Sequence, residues 1–305
     1  MSRIAVIGGG LMGHGIALTF ARAGHSVAVT DPVPEALATV PDRVRDSLRL
    51  LAAGDAEIVA AVGRITLCDT IGAAVRDANH VFEAAPEKLK LKQAIFAQIE
   101  AAAPADAILA SNTSVIQITA IMGGLTSRHR ALGTHWWNPP HMIPLVEVVK
   151  TEWTDPALAR DMHDLLADTG KTPVMVEKDV PGFIGNRLQH AMWREAISLV
   201  ENGICSAKAV DDVVKASFGR RLAVLGPLEN ADLVGIELTR DIHRQVLFDL
   251  DQRGAPSPYL DTLMDQGRTG MAQGAGFRDW KDADLAATKE KIANHLRKLE
   301  KILPE

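Results

Sequence analysis

Short apolar runs and longer amphipathic stretches alternate over the first 180 residues. Arg3–Ile7 reads RIAVI and breaks at Gly8; Ser26–Thr30 reads SVAVT and stops at Asp31. Between them, residues 11–23 carry apolar side chains at helical spacing up to Gly24. The same pattern predicts strands over 64–68, 80–83, 107–110, 130–135, 144–149 and 173–177, and helices over 88–102 and 155–168. Apolar strands alternating with helices are the mark of βαβ units, hence of a mostly parallel, doubly wound α/β sheet covered on both faces. The character changes near Asp179-Val-Pro-Gly182. Beyond it no strand pattern stands out, and 183–202, 207–217, 228–250 and 283–303 all show helical spacing. The expected organisation is therefore an α/β domain over 1–180 and an all-helical domain over 181–305.

Composition narrows the class. At 305 residues the chain suits one large domain or two ordinary ones. With 47% hydrophobic and 23% charged residues it has globular proportions. Net charge is −5 and no Lys/Arg block occurs, so the basic face that nucleic acid or an anionic membrane would want is missing. Cys68 and Cys205 lie far apart, which excludes a disulfide scaffold or a Cys-based zinc site and fits a reducing cytoplasm. Residues 4–20 are apolar, but five glycines and His14 make them a poor signal or membrane segment. The chain is expected to be soluble and cytoplasmic.

Gly8-Gly9-Gly10-Leu11-Met12-Gly13 satisfies G-x-G-x-x-G, a weak pattern by itself. Here it follows a strand, opens a helix, and precedes by 18 residues an acid, Asp31, at the end of the next strand. Gly8 allows the tight turn, Gly10 lets a pyrophosphate approach, and Gly13 lets helix and sheet pack closely. The helix N-terminus then faces the phosphates. Asp31 can accept from both ribose hydroxyls and repels a 2′-phosphate, so NAD(H) is expected over NADP(H).

A nicotinamide cofactor needs a base to move the proton of an alcohol. His135 ends an apolar strand in Gly133-Thr-His-Trp-Trp-Asn-Pro-Pro140, and ligands of open parallel sheets bind beyond the carboxyl ends of strands. Glu147 lies inside the apolar run Pro144-Leu-Val-Glu-Val-Val149, where a carboxylate is costly unless paired. A His–Glu pair answers that cost, fixing the imidazole tautomer and stabilising imidazolium. Taken singly, a lone His such as His135 is more commonly a hydrogen-bonded core histidine, and Glu147 reads as a surface acid on an edge strand. His135 and His141 do not have the spacing of a metal pair, and no metal is expected.

These stretches, with Ser111-Asn-Thr-Ser114, Asp179-Val-Pro-Gly-Phe-Ile-Gly-Asn-Arg187 and Gly226-Pro227, resemble the L-3-hydroxyacyl-CoA dehydrogenase family in family order. The resemblance implies a Rossmann-type NAD domain followed by a helical domain that forms a homodimer. It implies His135 as general base, Glu147 as its partner, and Ser114 and Asn186 as donors to the substrate's 3-oxygen. The cofactor contacts it implies are Gly8, Gly10, Leu11, Met12, Gly13, Asp31, Glu87, Lys92 and Asn112. Trp136, Asn138 and Arg221 join Ser114 and Asn186 as substrate contacts. Without the family, Asn186 reads as a cap or interhelical bond and Ser114 as a helix N-cap.

The chain also departs from the CoA-using pattern. The segment from Asp31 to His80 is shorter than the lysine-bearing insertion of fatty-acyl-CoA enzymes and carries only Arg43, Arg45 and Arg49. Gly219-Arg-Arg-Leu-Ala-Val-Leu-Gly-Pro227 is more similar to the branch of lambda-crystallin (an L-gulonate 3-dehydrogenase) and carnitine dehydrogenase, where an Arg matches Arg221. Such an Arg beside the site can clamp a substrate carboxylate bidentately, and reads equally as a surface arginine on a helix. Trp136-Trp137 stand where paired Phe are usual. The expected activity is interconversion of an L-3-hydroxy and a 3-keto group on a small free acid or a 3-hydroxyacyl-CoA. The CoA alternative is a 3-hydroxybutyryl-CoA dehydrogenase of fatty-acid metabolism. A remoter alternative is a non-catalytic NAD-binding structural or sensor protein. The related β-hydroxyacid dehydrogenases use a lysine base that 181–190 lacks.

Overall fold

A computed structural model, which describes residues 1–303, pairs the N-terminal apolar runs into one sheet. Its strands are β1 (Arg3–Ile7), β2 (Ser26–Thr30), β3 (Ile65–Leu67), β4 (His80–Glu83), β5 (Ile108–Ser111), β6 (Ala131–Trp136), β7 (Leu145–Val149) and β8 (Thr172–Val176). They lie in the order β3-β2-β1-β4-β5-β6-β7-β8. The order reverses between β1 and β4, the switch point where doubly wound sheets bind ligands. All neighbours run parallel except β6 and β7. Residues 137–144, which join those two, are too few for the crossover a parallel pair requires.

The alternation of each strand feeds two cores, one per face. Ile4, Val6, Phe82, Leu132, Trp136 and Val148 face one layer, with Ile16 and Phe20 of α1 (Leu11–Arg22). Ala5, Ile7, Val81, Leu109, Ala131 and Val149 face the other, with Phe96 and Ile99 of the helix Leu89–Ala102. Phe20, Phe82 and Trp136 meet edge-on or tilted, with ring centroids 4.8–6.3 Å apart. The helix Pro156–Asp168 starts on Asp155, whose Oδ1 accepts from the Ala157 N–H at 2.7 Å.

The chain divides into two compact units, Met1–Arg187 and Leu188–Glu305. The helix Gly185–Glu201 begins in the first and continues into the second. The second contains the helices Ala207–Ala216, Pro227–Val234, Ile236–Val246, Pro258–Asp265 and Asp282–Ile302. The single helix expected over 228–250 is thus two. Gly235 at φ 103° leaves the helical region and breaks it, and helical spacing on both sides of the glycine concealed the stop. No described helix is long and apolar enough to cross a membrane.

Four histidines of the first unit are held below the ordinary value by burial: His14, His25, His80 and His141. His141 is lowered furthest, from 6.5 to about 4, by burial first and then by the facing His14 and the Lys171 ammonium. The unfolded chain therefore binds more protons than the native one between about pH 6.5 and pH 4. Stability from these neutral rings is present above that window and is lost as pH falls through it. The thermal midpoint is expected to drop steadily across the window, and His141→Gln should make the drop shallower. An unchanged slope in that variant would count against the assignment.

Candidate active site

Strand β1 delivers the chain to the glycine turn. Gly8 has φ 108°, and a Cβ there would sit 2.8 Å from the Ala84 carbonyl oxygen. A Cβ on Gly13 would lie 1.7 Å from the Gly8 oxygen, so the helix can cross the strand this closely only with glycine. At Gly10 a Cβ would meet no protein atom within 4 Å, which leaves that side of the turn open to a ligand. Gly10 caps α1 without a side-chain bond, leaving the first helical N–H groups for an anion. Leu11 is exposed and Met12 half-buried just behind it. Asp31, at the end of β2, accepts from Gly9 N–H (2.7 Å) and Val33 N–H (2.9 Å), one per oxygen. A carboxylate has about four acceptor positions, so room remains for ribose hydroxyls. Turn, open side and acid fit a dinucleotide without a 2′-phosphate.

Arg43 braces this turn from behind, a role its place in the sequence did not suggest. Its guanidinium donates to the carbonyls of Gly9 and Ala36. Its neighbours Arg45 and Arg49 pair with Asp42 and Asp46 one turn away on the same helix, Val40–Leu50.

His135 and Glu147 are directly opposed partners in the antiparallel β6–β7 register, so their side chains leave the sheet on the same face. His135 Nδ1 and Glu147 Oε2 are 2.6 Å apart, and the two residues are 4% and 1% exposed. The other carboxylate oxygen accepts from the N–H groups of Ile184 (2.8 Å) and Gly185 (3.0 Å). Burial pushes the Glu147 carboxyl up, but the His135 bond and these two N–H groups outweigh it and hold it below its ordinary value. An ionised Glu147 requires Nδ1 to be the donor, which leaves the lone pair on Nε2. Phe183 and Trp137 wall the imidazole, with ring centroids 5.6 and 5.4 Å away. A Cβ at Gly185 would come within 2.5 Å of Trp137, so this glycine is what lets the indole lie there.

Ser114 follows β5 and is exposed. Its carbonyl accepts from Asn186 Nδ2 at 2.8 Å, so the two expected oxygen donors are brought together, and Asn186 keeps one amide hydrogen free of that bond. Glu87 reaches this loop from the other side: its Oε1 accepts from Thr113 Oγ1 (2.6 Å), Ser114 N–H (2.9 Å) and Val115 N–H (3.2 Å). Asn112 Oδ1 accepts from the Trp136 N–H at 2.9 Å and ties the end of β5 to β6.

One expectation needs correction. Trp136 is 2% exposed and packs on Phe20 and Phe82, on the sheet face opposite His135. Adjacent strand residues point to opposite faces, so Trp136 is core and Trp137 is the indole beside the His135 imidazole. Lys92 has no exposed surface, and its ammonium donates to both Glu83 oxygens and to the Ala85 carbonyl. Asn138 is exposed in the bend after β6. Arg221 belongs to the second unit, where it is exposed at the end of the short 3-10 turn Phe218–Arg220. Among the described residues no group of three or more His, Cys, Asp or Glu could hold a metal ion.

The family model described as 3-hydroxyacyl-CoA dehydrogenase, NAD binding domain, matches residues 3–180. The one described as 3-hydroxyacyl-CoA dehydrogenase, C-terminal domain, matches 182–280. A 5-formyl-3-hydroxy-2-methylpyridine 4-carboxylate 5-dehydrogenase of Mesorhizobium japonicum is 34% identical over 98% of this chain and 97% of its own length. An L-carnitine dehydrogenase of Streptomyces griseus is 37% identical over 77% of this chain and 70% of its own length. The crystal structure of a 5-formyl-3-hydroxy-2-methylpyridine 4-carboxylic acid 5-dehydrogenase, an NAD+-dependent dismutase, superposes with a TM-score of 0.91 at 32% identity, covering 99% of this chain and 98% of that one. The chain accordingly takes NAD as its cofactor. The chain belongs to the 3-hydroxyacyl-CoA dehydrogenase family and is an NAD-dependent dehydrogenase acting on a CH–OH group.

Proposed function

We propose that the chain interconverts an L-3-hydroxy and a 3-keto group on a small free carboxylic acid, with His135 and Glu147 as the acid–base pair. The observation that carries this reading is the 2.6 Å bond between two buried side chains at the end of β6. Gly8, Gly10, Leu11, Met12, Gly13 and Asp31 hold the dinucleotide. NAD, when bound there, would supply the hydride acceptor for the carbinol carbon. His135 Nε2 takes the hydroxyl proton, and Glu147 stabilises the imidazolium that forms. In the reverse direction Ser114 and Asn186 donate to the oxygen as it gains charge, and His135 returns the proton.

The free-acid handle is supported by the arginines. Arg43 is engaged by the glycine turn, and Arg45 and Arg49 are paired with acids, which leaves no unengaged cation among the three for a CoA phosphate. Arg221 has no hydrogen-bond or ion-pair partner of that kind and suits a substrate carboxylate. The alternative is a 3-hydroxyacyl-CoA such as 3-hydroxybutyryl-CoA.

A second reading concerns aldehydes. It is favoured by the end-to-end superposition on an aldehyde-acid dehydrogenase. A hydrated aldehyde carries C–H and O–H on one carbon, as a secondary alcohol does. His135 can remove one hydroxyl proton while the hydride leaves, and the product is a carboxylic acid.

We further propose a homodimer through the second unit. Among its described residues Leu263 is the one buried hydrophobic side chain other than glycine, whereas Leu228, Leu233 and Phe248 are 80%, 75% and 74% exposed. So much uncovered apolar helix calls for an isologous partner. The unpaired Cys68 and Cys205 go with a reducing cytoplasm.

Two measurements test these proposals. NADH formation should occur with 3-hydroxybutyrate, and His135→Ala should lower it by ~100-fold or more while NADH binding stays nearly unchanged. Turnover of 3-hydroxybutyryl-CoA alone would remove the role given to Arg221, and equal loss of binding and turnover would make His135 structural. Sedimentation equilibrium should return a dimer at micromolar concentration, and a monomer would overturn the interface.

A further inference from the structure

The segment that joins β8 to the helix Gly185–Glu201 is fastened at both ends to the stretch that follows β5. At one end Asn186 donates to the Ser114 carbonyl. At the other stands Asp179, whose Oδ2 accepts from the N–H and the hydroxyl of Thr119, each at 2.7 Å. Its carbonyl accepts from Gln117 Nε2 at 3.0 Å. Gln117 caps the short helix Ile118–Met122 but makes no capping bond with its own side chain. The first N–H groups of a helix need acceptors, and here a carboxylate 60 residues away in sequence supplies one.

This short helix is itself seated on the strand of His135. Ile118 is fully buried, and a Cβ on Gly133 of β6 would lie 2.6 Å from its Cδ1. Gly133 precedes His135 by two residues and therefore shares its face. Asp179 thus ties the segment 179–186 to a platform that rests on β6. The contacts along that segment are the ones the site needs. Phe183 walls the imidazole at φ 51°, a conformation that a bulky residue keeps only where its neighbours hold it. Ile184 and Gly185 donate to Glu147 Oε1, and Asn186 reaches Ser114. Stability alone does not explain the carboxylate. Its second oxygen, Oδ1, is buried with no partner, which is a cost.

We propose that Asp179 is a positioning residue for catalysis: by tying the start of 179–186 to Gln117 and Thr119, it sets where Ile184 and Gly185 meet Glu147 and where Asn186 meets Ser114. This rests on the roles given above to His135, Ser114 and Asn186. A misplacement of about 1 Å at a catalytic group can cost on the order of 100-fold in rate.

The test uses the full chain and two readouts, amide hydrogen exchange without substrate, and NADH oxidation with acetoacetate or acetoacetyl-CoA. Asp179→Ala is expected to speed exchange by ~10-fold or more at Ile184 and Gly185, whose bonds Asp179 does not itself make. It should lower kcat by ~10- to 100-fold while the Kd for NADH stays within ~3-fold. Asp179→Asn keeps one oxygen for both Thr119 donors, and should hold exchange and kcat within ~3-fold of the unaltered chain. Thr119→Val deletes one of the two bonds and serves if the alanine variant does not fold; exchange at Ile184 and Gly185 should rise by ~3-fold or more. Unaltered exchange at those two amides in Asp179→Ala or Thr119→Val would overturn the proposal, as would an asparagine variant as impaired as the alanine one. Asn186→Ala separates this tether from the roles it rests on. Undiminished kcat in that variant, with exchange still fast in Asp179→Ala, sinks the donor role of Asn186 and leaves the hold of Asp179 on the Glu147 contacts standing.

Discussion

One carboxylate holds the site together. Glu147 is buried inside a strand, where an unpaired charge would be intolerable, and every bond that makes it tolerable also builds the site. Its bond to Nδ1 orients His135, and its bonds to Ile184 and Gly185 draw in the first turn of the helix that carries Asn186. Asn186 then reaches the Ser114 carbonyl, which closes the circuit from β6 and β7 back to β5. The antiparallel pairing is what makes this geometry available. Cross-strand partners share a face whatever their separation in sequence, and the short 137–144 connection forces the antiparallel sense.

The same logic explains why the walls are what they are. With the imidazole fixed by its carboxylate, Phe183 and Trp137 can lie against it only if the backbone yields. Phe183 does so at φ 51°, a conformation rare for a bulky residue, and Gly185 by having no side chain at all. Strain of this kind persists where surrounding contacts over-determine it, and Phe183, 1% exposed, is packed into the core beneath the sheet.

Much of this was legible in the residues, and what was not has definite physical causes. The alternation of apolar runs located the strands to within about one residue, because buried parallel strands leave uninterrupted β-branched runs ended by glycine or acid. The His–Glu pairing followed from the cost of a charge in an apolar run. The period-2 rule was also available for the Trp136-Trp137 dipeptide: once His135 faces the site, Trp136 must face the core, and only Trp137 can adjoin the base. Lys92 and Arg43 could not be read in this way. Their partners Glu83, Ala85, Gly9 and Ala36 are brought near by the meeting of a helix with the ends of other strands, and no local pattern announces that. The break at Gly235 was visible as a glycine, but a glycine between two helical patterns does not say whether it bends or stops them.

The two internal charge systems divide the work along the sheet's carboxyl edge. One, around Glu147, holds the His135 imidazole; the other, around Lys92, reaches Glu83 and Glu87; and both are anchored on residues of the first unit. Neither depends on what the substrate carries beyond its reacting carbon. In this chain the arginines of the 40–50 helix have been turned inward or paired along their own helix, and Arg221 alone of the expected tail contacts lies in the second unit.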